Sequence, residues 1–401
     1  LKFHPFAALS FRPYRLWFLG QLASLTGTWM QATAQAYLVY QLTGSAAYLG
    51  YVGFASGAPA ALGLFGGVVS DRMSRRTLLL ITQTSMMLLA GILSALTYSG
   101  IVQPWHIIVL AALLGAANAF DAPARQSFVS ELVDREHLTN GIAINSLMFN
   151  LARALGPAAA GLVYAARGPG FCFLVNALSF IAVIGALAAI RTPPQQKAPR
   201  ASMAAQMKEG VRFAFADPVI RSILLTVGMV AVFGLGYITL IPAWTVRMLH
   251  GDARDVGFLQ GAQGLGALFG SLAIAFLGSR GPRGRMLLSG VAIFPFAVFG
   301  FAWAPTVPLS ALFLVAGGFF VMFVFNLANA IVQTIVPDYL RGRVMSVYTL
   351  CFLGTMPLGS LAAGWIAEWK GELFAVIAGG TVLTLFGITM WTAAPLLRAR
   401  A

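Results

Sequence analysis

Residues 191–218 read RTPPQQKAPRASMAAQMKEGVRFAFADP. They form the longest interruption between apolar runs in the chain. The Pro- and Gln-rich start is a linker signal. The second part sets Met203, Met207, Val211 and Phe215 at i, i+4 spacing, with Lys208 and Arg212 on another face. That pattern predicts a short amphipathic helix lying on the inner membrane surface, because its length and charge exclude a span. Six apolar runs precede the stretch and six follow it. It therefore divides the chain into an N-terminal bundle (1–190), a linker (191–217) and a C-terminal bundle (218–401).

The composition sets the medium. The chain has 401 residues, 59% of them hydrophobic and only 9% charged, against about 25% charged residues in an ordinary soluble domain. Most side chains must face lipid or other helices. Runs near 15–40, 46–69, 77–99, 104–127, 140–166, 170–190, 218–248, 255–278, 285–303, 308–335, 343–368 and 372–396 are each long enough to cross ~30 Å of hydrocarbon as helix. They are continuous rather than alternating in period two, which favours helices over a barrel. The expected fold is an all-α membrane protein of twelve transmembrane helices in two six-helix bundles.

The net charge of +14 raises nucleic acid as a partner. The basic residues, however, punctuate apolar runs and form no patch interleaved with stacking aromatics, so nucleic acid is excluded. With the N-terminus placed inside, 21 of the 26 Lys and Arg residues fall in inner segments, four fall in outer loops, and Arg153 falls in neither. The bias predicts both termini on the cytoplasmic side of a plasma membrane, the inner membrane of a bacterium. The start, LKFHPFAALSFRPYRLWFLG, lacks the small-residue cleavage site of a signal peptide. Cys172 and Cys351 lie in different halves, which argues against a disulfide framework or a thiolate metal site.

The halves read as repeats. Helix four ends in NAFDAPARQSFVSELVDREHL and helix five carries RALGPAAAGLV; helix ten ends in NLANAIVQTIVPDYLRGRV and helix eleven carries GTMPLGSLAAG. Each pair gives an Asn-bearing helix, a charged loop and a Pro/Gly-interrupted helix, with Pro157 and Pro357 in corresponding places. Parallel six-helix repeats are a transporter signature, with substrate expected at their interface.

Between helices two and three the chain reads Gly67-Val-Val-Ser-Asp71-Arg72-Met-Ser-Arg75-Arg76. This matches G-x-x-x-D-R-x-x-R-R and resembles the loop motif of the major facilitator superfamily, with Ser74 in place of the usual glycine. FRPYRLWFLGQLASLTGTWMQ, FDAPARQSFVSELV, LTNGIAINSLMFNLARALGPAAAG and PDYLRGRVMSVY are similar to the enterobactin-exporter and macrolide-efflux branch. The resemblance implies alternating access between the two bundles. It also implies that Asp71 docks on the start of helix eleven, near Arg343 and Val344, and holds the inner gate shut. Gly67 would let two helices approach closely, and Arg72, Arg75 and Arg76 can pair with Asp121, Glu131, Asp134 or lipid headgroups. The corresponding GSRGPRGR at 278–285 has no acid, so the latch is expected to be asymmetric.

The stretch 150–163, NLARALGPAAAGLV, puts Arg153 inside a membrane helix. A cation there is expensive and should face a partner or an aqueous cavity. Asp121 is its expected partner, as a static ion pair or as part of a coupling or anion-binding site. Gly156, Pro157 and Gly161 resemble the helix-five motif of exporters and antiporters. There proline removes a backbone bond and bends the helix, and glycine permits close packing. The resemblance also implies a cavity lined by helices one, four, seven and ten. That makes Gln21, Trp29, Gln31, Gln35, Asn118, Tyr237, Trp244, Asn326, Asn329 and Gln333 cavity candidates beside Asp121, with Asn145 and Asn150 of helix five. Packing between helices is the competing role for each.

No Walker A run, no H-E-x-x-H, no nucleophile elbow and no cluster of metal ligands occurs in the sequence. An enzyme is not expected, nor a cofactor or metal. Energy must then come from a gradient, and Asp121 is the candidate proton carrier. The expected function is export of a small amphipathic molecule (siderophore, macrolide or other drug) by proton-coupled antiport. The expected partners are that substrate, protons and membrane lipids, and the protein is expected to work as a monomer. The alternatives are lipid or lysolipid transport by the same fold, or a non-transporting receptor or scaffold.

Overall fold

A computed structural model describes residues 6–62, 73–190, 203–277 and 281–399, and these are helices joined by short turns. The twelve expected helices are present. In order they are α1 Arg12–Thr43, α2 Ala46–Gly57 with a 3-10 turn Ala58–Leu62, α3 Arg75–Tyr98, α4 Pro104–Leu132, α5 Leu138–Arg167 and α6 Pro169–Ala189. After the linker helix, Met203–Ala216, come α7 from Pro218 to Arg247 in pieces, α8 Ala253–Leu277, α9 Arg283–Trp303 and α10 Val307–Ile335. Then α11 runs as Asp338–Leu353 and Met356–Lys370, and α12 as Glu372–Ala393. Among the described residues nine of these are long and apolar enough to cross a membrane by themselves; α1, α2 and α8 lie outside that set. In α1 the reason is its content of Gln21, Thr26, Thr28, Gln31, Thr33 and Gln35.

The breaks follow local chemistry. In α7 the helix passes through a π-turn, Val230–Gly234, and restarts at Gly236 and Ile241. Pro242 stands at the start of the last piece, where it lacks the N–H that would continue the ladder. Pro357 likewise opens the second piece of α11. Pro157 behaves differently: α5 runs unbroken from Leu138 to Arg167 through it. The interruption expected in both repeats is therefore present in α11 and absent from α5. Within α5 the proline has no N–H to give to the Arg153 carbonyl.

Contacts divide the chain into two units that do not coincide with the sequence halves. Unit 1 comprises Leu1–Leu42, Ala58–Ala198 and Asp252–Gly261; unit 2 comprises Thr43–Gly57, Pro199–Gly251 and Ala262–Ala401. Unit 1 has a core of Tyr14, Trp17, Leu79, Phe128, Phe180 and Val183, with Trp17 edge-on to Phe128 at 5.1 Å. Its helices approach closely at Gly156, where a Cβ would stand 2.4 Å from Trp29 Cβ and 2.8 Å from the Thr26 carbonyl oxygen. In unit 2, α2 packs on the second piece of α11, and a Cβ on Gly364 would lie 2.8 Å from the Ala46 carbonyl oxygen and from Gly50 Cα. The linker helix packs on α11 through Gly210, whose Cβ would meet the Arg343 carbonyl oxygen at 2.9 Å, while Val211 and Phe215 stay exposed.

Candidate functional site

Three buried polar side chains of unit 1, Ser24, Thr82 and Gln83, gather at Asp121. This residue lies on α4, fully buried. Its Oδ1 accepts hydrogen bonds from Thr82 Oγ1 at 2.8 Å and Gln83 Nε2 at 2.9 Å, both on α3. Ser24 of α1 donates to Gln83 Oε1 at 3.4 Å, which ties three helices together. An isolated buried carboxylate is costly, and these donors lower the cost of the charged form. Its other oxygen, Oδ2, makes no hydrogen bond. The cation beside Oδ2 is Arg125, one turn along the same helix, with Nε at 3.8 Å.

Asp121 is thus paired with Arg125 and not with Arg153, the partner expected from the sequence. Residues four apart share a helix face, so Arg125 reaches the carboxylate without leaving α4. Arg153 is directed instead at α1: its guanidinium lies 5.7 Å from the ring centre of Trp29, which meets Phe149 edge-on at 5.9 Å. A guanidinium held over an indole face is stabilised by the ring quadrupole.

A second network runs along α1. Asn176 of α6 donates to Gln31 Oε1 at 2.7 Å, and Gln31 Nε2 reaches Gln35 Oε1 at 3.5 Å. Farther along, Thr33 donates to Gln260 of α8 at 2.5 Å within the same unit. Gln21 is fully buried, and neither atom of its amide has a hydrogen-bond partner among the described residues. Asn145 is half-buried with Oδ1 unpaired, Asn150 donates to the Ser146 carbonyl on its own helix, and Asn118 is exposed.

Two cavity candidates of unit 2 lie in its core instead. Tyr237 and Trp244 are 4% and 1% exposed and pack on Phe301 at 5.7 and 4.8 Å. Both rings thus meet α9. On α10, Asn326 donates to Ser271 at 3.1 Å and Gln333 donates to Asn329.

Of the loop motif, Gly67, Asp71 and Arg72 lie outside the described residues. Its last two arginines fasten one end of unit 1. Arg75 bonds Glu131 at the end of α4 at 2.7 Å. Arg76 donates to the Leu187 and Ala188 carbonyls at 2.7 and 3.0 Å, covering acceptors that the end of α6 leaves open. Arg343, expected near the Asp71 dock, forms an ion pair with Glu209 of the linker helix, and Val344 is buried.

The sequence reading missed several members of these networks. Thr82 and Gln83 stood out as a polar pair inside an apolar run, and Arg125 stood one turn from Asp121. Asn176 interrupts LVNALSF. A cluster in unit 2 was also missed. There Glu368 Oε2 accepts from Ser45 Oγ at 2.8 Å and from the Ala47 N–H at 3.3 Å, at the start of α2. Arg247 bonds Glu372 at 3.0 Å and the Gly44 carbonyl at 2.7 Å. A charge near the end of a span signals only an interface, and the partner lies more than a hundred residues away.

The profile of the family described as transmembrane secretion effector matches residues 2–399. The chain belongs to this family of major facilitator transporters. As a transmembrane secretion effector it is an integral membrane transporter and not an enzyme. The staphyloferrin A transporter of Staphylococcus aureus is 25% identical over 360 residues, covering 89% of this chain and 90% of the relative. The multidrug efflux pump Tap of Mycolicibacterium fortuitum is 27% identical over 390 residues, 94% of each. Among solved structures, a bacterial homolog of the human lysosomal transporter Spinster, inward-facing and occupied, superposes with a TM-score of 0.75 at 14% identity over 98% of both chains. A D-xylose–proton symporter gives 0.71 at 14% identity, over 96% of this chain and 99% of the other. At that identity the likeness concerns the fold.

Proposed function

We propose that this transporter exports a small amphipathic molecule, of the siderophore or hydrophobic-drug kind, by proton-coupled alternating access. The observation that carries export is the end-to-end match to Tap, named a multidrug efflux pump; the match to the staphyloferrin A transporter supports the siderophore class. Coupling rests on Asp121. It is a carboxylate sealed among helices with one oxygen lacking a hydrogen bond, and that oxygen is where a proton would be taken up. Arg125 competes for the same oxygen, so protonation and ion pairing would exclude one another.

The two bundles at 1–190 and 218–401 are the moving bodies in this reading. The unit boundary falls after Gly57, at the end of α2, and inside α8, after Gly261. Gly67, Asp71 and Arg72 act as the inner latch. The chain works as a monomer in a bacterial inner membrane with both termini cytoplasmic, and the exposed Val211 and Phe215 rest the linker helix on that surface.

The test is flux from proteoliposomes under an imposed pH gradient, with a carboxylate siderophore, a macrolide and a lysophospholipid as separate probes. Gradient-driven movement of the first or second supports the reading. Movement of the lysophospholipid alone replaces it with lipid transport. No flux of any probe, with one fixed pattern of cysteine accessibility at both mouths, would leave a receptor or scaffold.

A further inference from the structure

Unit 1 carries a groove of about 550 Å³ with α1 as its floor and α5 and α6 as its walls. Its lining is almost wholly apolar and includes Ala23 and Met30 of α1, Leu155, Ala159 and Val163 of α5, and Val175 of α6. Two hydroxyls reach it, and both are engaged within their own helices: Thr26 donates to the Leu22 carbonyl and Ser179 to the Asn176 carbonyl, each at 2.7 Å. The groove therefore offers mostly hydrocarbon, with two hydroxyls whose protons are already donated. The flanking Leu155, Leu162 and Leu178 are 50, 65 and 53% exposed, which opens the groove toward the surface that lipid covers.

Beyond the lining, one helical turn past Val163, stands a cation. Arg167 follows Val163 by one turn and continues the stripe Leu155, Ala159, Val163; Phe171 precedes Val175 by one turn. Arg167 is exposed, and its guanidinium lies 5.8 Å from the Phe171 ring centre. Among the described residues no carboxylate forms a salt bridge with it. At ~1.5 Å per residue, Leu155 to Arg167 spans roughly 18 Å, somewhat more than the half of a ~30 Å core that one leaflet's chains fill.

We propose that this groove is a binding site for an anionic phospholipid, one acyl chain lying between α5 and α6 on α1 and the phosphate on Arg167. Cations at the mouths of intramembrane grooves recognise lipid phosphates in this way. The lipid is a resident of the fold, distinct from the exported cargo.

Native mass spectrometry of the full chain, released from nanodiscs holding equal amounts of phosphatidylglycerol and phosphatidylethanolamine of the same chain length, tests this. The wild type should retain one phosphatidylglycerol in preference to phosphatidylethanolamine. Arg167→Gln should cut that preference about tenfold, and Arg167→Lys should keep most of it. Ala159→Phe, which fills the groove, should lower retention of both lipids. Thermal unfolding of each variant confirms that it is folded. Equal retention of the two lipids by the wild type would overturn the proposal, as would phosphatidylglycerol retention that Ala159→Phe leaves unchanged. Two further results would also overturn it: a stable dimer that shields the groove, assigning it to a second copy, and loss of macrolide flux in Ala159→Phe with lipid retention intact, assigning it to cargo.

Discussion

At the scale of single residues, two ionisable groups in unit 1 have separate environments. Asp121 is held by Thr82, Gln83 and Arg125, and Arg153 by the face of Trp29. Asp121→Asn should abolish the pH dependence of export while leaving the protein folded, because the amide oxygen still accepts from Thr82 and Gln83; an unchanged pH profile in proteoliposomes removes Asp121 as the proton site. Arg125→Ala should lower stability by about 3 kcal/mol, since it strands a buried carboxylate. Asp121→Asn added to it should restore part of the loss in a thermal unfolding series. Arg153→Ala and Trp29→Ala should couple by about 1 kcal/mol in a double-mutant cycle. Arg153→Ala and Asp121→Asn should be additive within about 0.5 kcal/mol, and strong coupling between them would restore the pairing first expected from the sequence.

At the scale of elements, glycine and proline act through the helices they bring together. Gly156→Ala places a methyl group against Trp29 Cβ and the Thr26 carbonyl. It should cost about 1–3 kcal/mol by overpacking, read as a fall in unfolding midpoint. Pro157→Ala points the other way. The helix already continues through this position, so alanine returns an N–H to the Arg153 carbonyl and should raise stability. If the flexibility of α5 serves transport, flux should fall in the same variant. A loss of stability in Pro157→Ala would mean that proline sets a bend the neighbours need. The matching Pro357 opens a helix piece rather than sitting inside one. Equal spacing in the sequence thus produced different local roles: α11 stops at Leu353 and restarts at Met356, whereas α5 continues through Gly156 and Pro157.

At the scale of the whole molecule, the contact units cut across the sequence halves. Residues 43–57 pack in unit 2, where Glu368 holds the start of α2 and Gly53 lies against Ser360. Gly53→Cys with Ser360→Cys should therefore cross-link on mild oxidation, the Cβ positions being close enough for a disulfide to form with a small shift. The cross-link should stop flux, and reduction should restore it. Cross-linking with full flux retained would show that this contact need not open during transport.

The fold was legible in the sequence because span formation is a local matter. Nine of the described helices are long and apolar enough to enter the membrane whatever their neighbours do. Partner choice was not legible. Whether Asp121 met Arg125 or Arg153, whether Trp244 lined a cavity or packed on Phe301, and which unit held residues 43–57 all depended on which helix faces meet. Those faces are set by packing among side chains far apart in the chain, through close approaches such as Gly156 on Trp29 and Gly364 on Gly50. Hydrophobicity fixed that these helices form; only their close packing decided which polar groups they bring together.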